Sequence, residues 1–142
     1  MILLDTNVVS EPLRPAPDAG VIAWLDAQPL ETLYLSSITV AELRAGVALL
    51  PKGRRRDRLH VTVEREVLPL FTGRVLPFDL SCTQAYADVL LAARRAGSPI
   101  ATADALIAAV TSTHGLLVAT RDATPFRTAG LTVIDPWSTE RG

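Results

Sequence analysis

Short, mostly apolar runs separated by longer stretches of helical periodicity constrain this chain more than any other feature. The runs are Ile2–Leu4, Thr32–Leu35, Val75–Phe78, Leu116–Ala119 and Leu131–Ile134. A strand that does not alternate apolar with polar residues has both faces covered, as in a parallel sheet between helices. The stretches between the runs repeat at helical spacing, as in Val40, Leu43, Val47 and Leu50. Together they predict an α/β fold: three layers, α/β/α, around a central, mostly parallel sheet of about five strands.

Local signals place the helices. Asp18 is expected to cap a helix to about Ala27 that carries Val21, Ile22, Trp24 and Leu25. Ser36 and Ser37 precede a helix to about Leu50, broken by Pro51 and Gly53. Arg54 to Leu70 reads as one basic helix. Ser81-x-x-Gln84 matches a capping box and opens a helix to Arg95, closed by Gly97. Thr102 to Thr113 is an alanine-rich helix ended by Gly115. The one extended loop signal is Pro12 to Pro17, with three prolines.

At 142 residues the expectation is one domain over positions 1–142. Apolar residues make up 49% and charged residues 20%, which fits a packed core and excludes a disordered chain. The longest apolar run, Ala105 to Val110, is far short of the roughly 20 residues a membrane helix needs. The opening Met-Ile-Leu-Leu-Asp has no basic segment and is not expected to be a signal peptide. The single cysteine, Cys82, cannot form an internal disulfide, so the cytoplasm is the expected compartment. A net charge of -1 does not announce nucleic-acid binding, although the distribution of charge matters more than the sum.

Four acids stand apart because each interrupts or abuts apolar sequence: Asp5, Glu42, Asp104 and Asp122. In an open parallel sheet, ligands bind outside the carboxyl ends of the strands. Asp5 and Asp122 fall there, and Glu42 and Asp104 fall in first turns of helices that can begin at the same edge. Two carboxylates about 5 Å apart repel by roughly 3 kcal/mol at an effective dielectric of 20. Four would need cations. The only lysine is Lys52, and Arg121 adjoins Asp122. A divalent metal is the simpler partner, and all-oxygen ligation suits Mg²⁺ or Mn²⁺. Each acid also has a purely structural reading. Thr39-x-x-Glu42 matches a capping box, Asp104 complements a helix dipole, Asp122 fits an Asx turn and Asp5 fits a cap.

Asp5-Thr6-Asn7 after the first strand, Ser37 through Glu42-Leu43, Asp104-Ala-Leu-Ile-Ala-Ala, and Thr120-Arg121-Asp122 after a strand occur in that order. The pattern resembles the PIN-domain toxins of the VapC class over essentially the whole chain. The resemblance implies a Mg²⁺- or Mn²⁺-dependent ribonuclease, hydrolysing RNA through a metal-activated water, with Asp5, Glu42, Asp104 and Asp122 as the acidic quartet. It implies one metal held chiefly by Asp5 and Asp104, with Glu42 and Asp122 ligating directly or through water. Thr6, Asn7 and Thr120 match the polar residues that orient the acids. It further implies a homodimer and a cognate antitoxin of the ribbon-helix-helix DNA-binding type, whose tail lies over the acidic pocket and presents an arginine. One position departs: many members carry an acid where this chain has Pro125.

RNA contacts are expected from Arg54, Arg55 and Arg56, in the densest basic cluster, and from Arg14 and Arg121 nearer the acids. A solvated helix face is the competing reading of the cluster. With only two Trp, two Tyr and three Phe, scattered, no base-stacking platform is evident. Cys82 reads as a core residue, His114 as a helix-end contact and His60 as solvated. A phosphoaspartate receiver would need a lysine near the last strands, and Lys52 follows the second. An aspartate-nucleophile phosphatase would need a second acid in Asp5-Thr-Asn. The remaining rival is a PIN-like protein that binds RNA or a partner without cutting.

Overall fold

The computed structural model describes residues 1–138. Five strands form one sheet: β1 (Ile2–Leu4), β2 (Leu33–Ser36), β3 (Val75–Leu76), β4 (Leu117–Ala119) and β5 (Val133–Ile134). Their order is β3-β2-β1-β4-β5, and every neighbouring pair is parallel. The chain moves outward from β1 to β3, then crosses back to add β4 and β5 on the other side. The switch in direction therefore lies between β1 and β4.

The helices are α1 (Thr6–Ser10), α2 (Ala19–Ala27), α3 (Ser37–Ala48), α4 (Arg54–Thr62), α5 (Thr83–Arg95), α6 (Thr102–Thr113) and α7 (Ala123–Thr128). The two-residue period of each strand splits the core into two halves. Ile2, Leu4, Leu33, Leu35 and Ala119 face one way and join Val8, Val9 and Leu43. Leu3 and Val118 face the other way and join Val89, Ile107, Val110 and Phe126. The expected three layers follow, with α1, α2 and α3 contributing to one half and α5, α6 and α7 to the other.

Most helix ends fall where the residues predict. Asp18 Oδ1 accepts from Val21 N at 3.0 Å and starts α2. Gly97 and Gly115 follow α5 and α6 at φ +63° and +64°, the left-handed conformation that glycine adopts without strain. Beyond them, Ser98 N donates to Ala93 O and Leu116 N to Thr111 O, satisfying carbonyls at the helix ends. Ser36 ends β2 and caps α3 at once, its Oγ accepting from Thr39 N at 3.1 Å. Strand thus passes to helix with no loop between. Because Ser36 is fully buried, Ser36→Ala is expected to cost about 1–2 kcal/mol, read as a lower midpoint in urea unfolding.

Three expectations need correction. The basic segment is not one helix to Leu70. After α4 the chain widens into a π-turn over Val63–Val67 and tightens into a 3-10 turn over Leu68–Phe71. Pro69 is the cause, since it has no N–H for the carbonyl four residues back and its ring crowds that turn. Ser81 does not open α5 either. Asp79 Oδ1 accepts from Ser81 N at 3.1 Å and Ser81 Oγ at 2.5 Å, capping a 3-10 turn that precedes Thr83. Gln84 instead donates to Asp88. The third strand stops at Leu76, where Pro77 removes the next ladder donor. Cys82 is free and fully buried, as expected. Among the described residues no helix is long and apolar enough to cross a membrane.

Candidate active site

The carboxyl edge of β1 and β4 is where the direction switches, so the loops there diverge and leave a crevice. Asp5 stands at its floor, 4% exposed. Its N–H extends the β1–β4 ladder by donating to Ala119 O at 2.9 Å. Its Oδ1 accepts from Thr6 N at 2.8 Å, and its Oδ2 accepts from the Thr120 hydroxyl at 2.7 Å. Thr120 is itself fully buried, and its Oγ1 accepts from Asp122 N at 3.0 Å and Asn7 Nδ2 at 3.5 Å. One hydroxyl thus ties the acid after β1 to the backbone before the last acid. Asn7 adds a second tie, its Oδ1 accepting from Arg121 N at 3.3 Å.

Glu42 arrives from α3. Thr6 Oγ1 donates to Glu42 Oε1 at 2.6 Å and lies 3.0 Å from Thr39 Oγ1. Since Ser36 is the α3 cap, Glu42 is not spent on a capping box. Asp104 sits in the first turn of α6 and Asp122 at the start of α7, with no capping bond from the Asp122 side chain.

The four acids feel one another. Burial pushes the Asp5 carboxyl up to about 6 against the Thr120 and Thr6 donors that draw it down, and Asp104 and Glu42 add smaller repulsions. Burial also raises Asp104, with Asp122 and Glu42 adding to it. Among the described residues the ion pairs are Arg14–Glu11 and Arg44–Glu64, so no basic side chain neutralises the cluster. Asp5 is buried and Asp104 half-buried, while Glu42 and Asp122 are exposed; a set of carboxylates so graded, without a counterion, attracts cations. Among the described residues no three such ligands close into a cage. The donor set fits a hard, hydrated ion bound through one or two carboxylates and waters.

Residues 2–131 match the PIN domain. The chain belongs to the PIN domain family. Plasmid stability protein StbB of Pseudomonas syringae pv. tomato is 60% identical over 137 residues, 96% of this chain and 99% of that protein. VapC ribonuclease Y4jK of Sinorhizobium fredii is 55% identical over 137 residues, 96% of this chain and 98% of that protein. Toxin FitB of Neisseria gonorrhoeae is 54% identical, with coverage of 96% and 99%. The crystal structure of FitAcB from the same organism superimposes with a TM-score of 0.94 at 53% identity, covering 98% of this chain and 100% of that one.

In this PIN domain the basic residues divide. Arg14 and Arg55 line a groove of about 320 Å³ together with Thr6 and Glu42, so they share a surface with one of the four acids. Arg56 lines a separate groove with Arg44 and Glu64, and Arg54 is exposed at the start of α4. Arg121 lies at the rim, its guanidinium 5.1 Å from the Trp137 ring centroid. Pro125 occupies the first turn of α7, where the N–H it lacks is not needed.

Sequence reasoning missed Thr39, which is fully buried and braces Thr6. Its signal is the Ser36-x-x-Thr39-x-x-Glu42 spacing, one helix turn at each step. It also passed over Glu11, 4% exposed, which accepts from Asp18 N at 2.8 Å and from Arg14 at 3.3 Å. That acid clasps the proline-rich loop rather than the cluster.

Proposed function

We propose that this protein is a divalent-metal-dependent ribonuclease and the toxin of a type II toxin–antitoxin pair. The observation that carries this reading is the coupling of Asp5, Glu42, Asp104 and Asp122 at the sheet's switch point, in a chain 55% identical to a VapC ribonuclease.

Asp5 and Asp104 would hold a Mg²⁺ or Mn²⁺ ion, with Glu42 and Asp122 reaching it directly or through water. Such an ion supplies a bound water of much lowered pKa at neutral pH. The chain's own residues do the rest. Thr120 fixes one Asp5 oxygen and Thr6 N–H the other, so the carboxylate cannot rotate. Thr6 holds Glu42 against the recoil expected between like charges. Asn7 and Thr120 pin the backbone at 121 and 122, which fixes the last acid relative to the first. Arg14 and Arg55 offer phosphate contacts along the groove that begins at Glu42.

The proposed partners are RNA as substrate, a second copy of this chain, and an antitoxin of the ribbon-helix-helix DNA-binding type. A pocket of unpaired carboxylates suits an antitoxin tail that presents an arginine, since a guanidinium makes paired hydrogen bonds to carboxylate.

Cleavage of mixed cellular RNA by the purified chain, free of any partner, tests the reading. The expected result is discrete fragments with Mg²⁺ or Mn²⁺ and none with chelator. Attack by water leaves 5′-phosphate and 3′-hydroxyl ends. Ends bearing 2′,3′-cyclic phosphate, or cleavage that survives chelation, would sink it. Absence of both cleavage and divalent-ion binding by calorimetry would favour the non-cutting rival, for which Pro125, where the resemblance implies an acid, is the specific reason; ion binding without cleavage would mean the RNA pool lacks the substrate.

A further inference from the structure

An RNA strand brings negative charge to a pocket that is already negative, so cations at the rim must carry its approach. Arg14, paired with Glu11 at 3.3 Å, and Arg55 lie along the groove that leaves the site past Glu42, and Arg44 is paired with Glu64 at 2.9 Å. Arg121 differs. Among the described residues it makes no ion pair, although Asp122 is its neighbour in sequence. Its guanidinium lies instead over Trp137, 5.1 Å from the ring centroid.

The backbone explains the meeting. Strands β4 and β5 pair with Ala119 opposite Ile134, and Thr120 N donates to Ile134 O at 2.9 Å. Just beyond these paired ends the chain sets Arg121 and Trp137 side by side at the carboxyl edge. Each is fixed independently. Arg121 N donates to Asn7 Oδ1 at 3.3 Å. Trp137 N donates to Asp135 Oδ1 at 2.9 Å, and Ser138 N donates to Asp135 O at 3.2 Å, making a tight turn.

We propose that Arg121 is a phosphate contact for the RNA strand entering the acidic site, and that Trp137 is the positioning residue that holds its guanidinium ready. The inference rests on the ribonuclease reading above. An arginine free to fold onto Asp122 would neutralise itself and one of the four acids. The aromatic face attracts the cation without neutralising it, and the guanidinium's N–H donors stay in its own plane, where phosphate oxygens can meet them in pairs.

Two readouts test this: steady-state cleavage, and binding of a labelled mixed-sequence single-stranded RNA oligomer with Ca²⁺ in place of Mg²⁺, each across a salt series. Arg121→Ala is expected to raise KM about 10-fold with little change in kcat. It should also flatten the slope of log K against log salt by about 0.7, one phosphate contact on a single strand. Trp137→Leu is expected to raise KM about 3- to 10-fold in the native background and not at all when Arg121 is already alanine. Trp137→Phe, which keeps an aromatic face, should recover most of the loss, and it carries the test if the leucine variant does not fold.

An Arg121→Ala protein with unchanged KM and salt slope overturns the inference while leaving the ribonuclease reading intact. Equal damage from Trp137→Leu with and without Arg121 also overturns it, because Trp137 would then act on the RNA or on packing directly. A native chain that neither binds nor cuts the oligomer removes both.

Discussion

Asp5→Asn is expected to abolish cleavage and, at neutral pH, to leave a more stable metal-free protein. The two effects share one cause. The Asp5 carboxyl is buried and sits near 6, against an ordinary value of 3.8. Ionising it in the folded chain therefore costs about 3 kcal/mol. Because the folded pKa is raised, folding is favoured in full below pH 3.8, and that advantage is lost as pH rises through about 6. Asparagine has no proton to lose and escapes the loss. Its amide fits less well, since the Thr120 Oγ1 lone pairs already face Asp122 N and Asn7 Nδ2, a misfit of about 1 kcal/mol. The net expectation is a gain of about 1–2 kcal/mol at pH 7.5 that vanishes or reverses by pH 4. Thermal unfolding in chelator across that range measures it. Activity should fall by at least about 100-fold, because losing a group that only supports a metal ligand already costs 10–100-fold. Added Mn²⁺ should raise the unfolding temperature of the native chain and not of the variant. A variant less stable than the native protein at pH 7.5 would refute the account of Asp5.

Thr120→Val tests the same site from the other side. Valine keeps the shape and removes the hydroxyl. Asp5 then loses its strongest stabilising donor, at 2.7 Å, and Asp122 N loses its acceptor. Leaving the buried Asp5 carboxylate without this donor should cost about 1–3 kcal/mol, with a smaller loss at the part-buried Asp122 N–H. The Thr120 hydroxyl is also the largest influence drawing the Asp5 carboxyl down. Its loss should move the acid limb of the pH–rate profile to higher pH. Cleavage at neutral pH should drop about 10–100-fold, with part of the loss regained in more alkaline buffer. A profile that keeps its position would show that Thr120 does not set the state of Asp5.

The acids were legible because they violate their surroundings. A carboxylate beside Ile-Leu-Leu, or inside Ile-Thr-Val-Ala-Glu-Leu, has no reason to be there unless the fold uses it. The central strands β1, β2 and β4 were legible because both their faces are largely covered, which writes an apolar run, whereas the edge strands β3 and β5 are short and only partly covered. What stayed hidden depends on pairs of positions. Arg121 and Trp137 meet only because β4 and β5 end together, and neither segment alone says so. The π-turn after α4 is hidden differently, since the basic pattern runs smoothly through it and only Pro69 marks the change. At Ser81 two capping signals competed, and the nearer Asp79 won because its carboxylate reaches both the Ser81 N–H and hydroxyl.

The bond between Thr120 and Asp5 spans 115 positions of chain. A ribosome adding about 5–20 residues per second needs roughly 6–23 s to make that much polypeptide. Throughout that interval the first acid exists without the hydroxyl that orients it, and β1 lacks its β4 neighbour. The crevice cannot take its described form in a growing chain until the segment bearing Thr120 has emerged. Assembly of the site from opposite ends of the chain thus builds a translational delay into its formation.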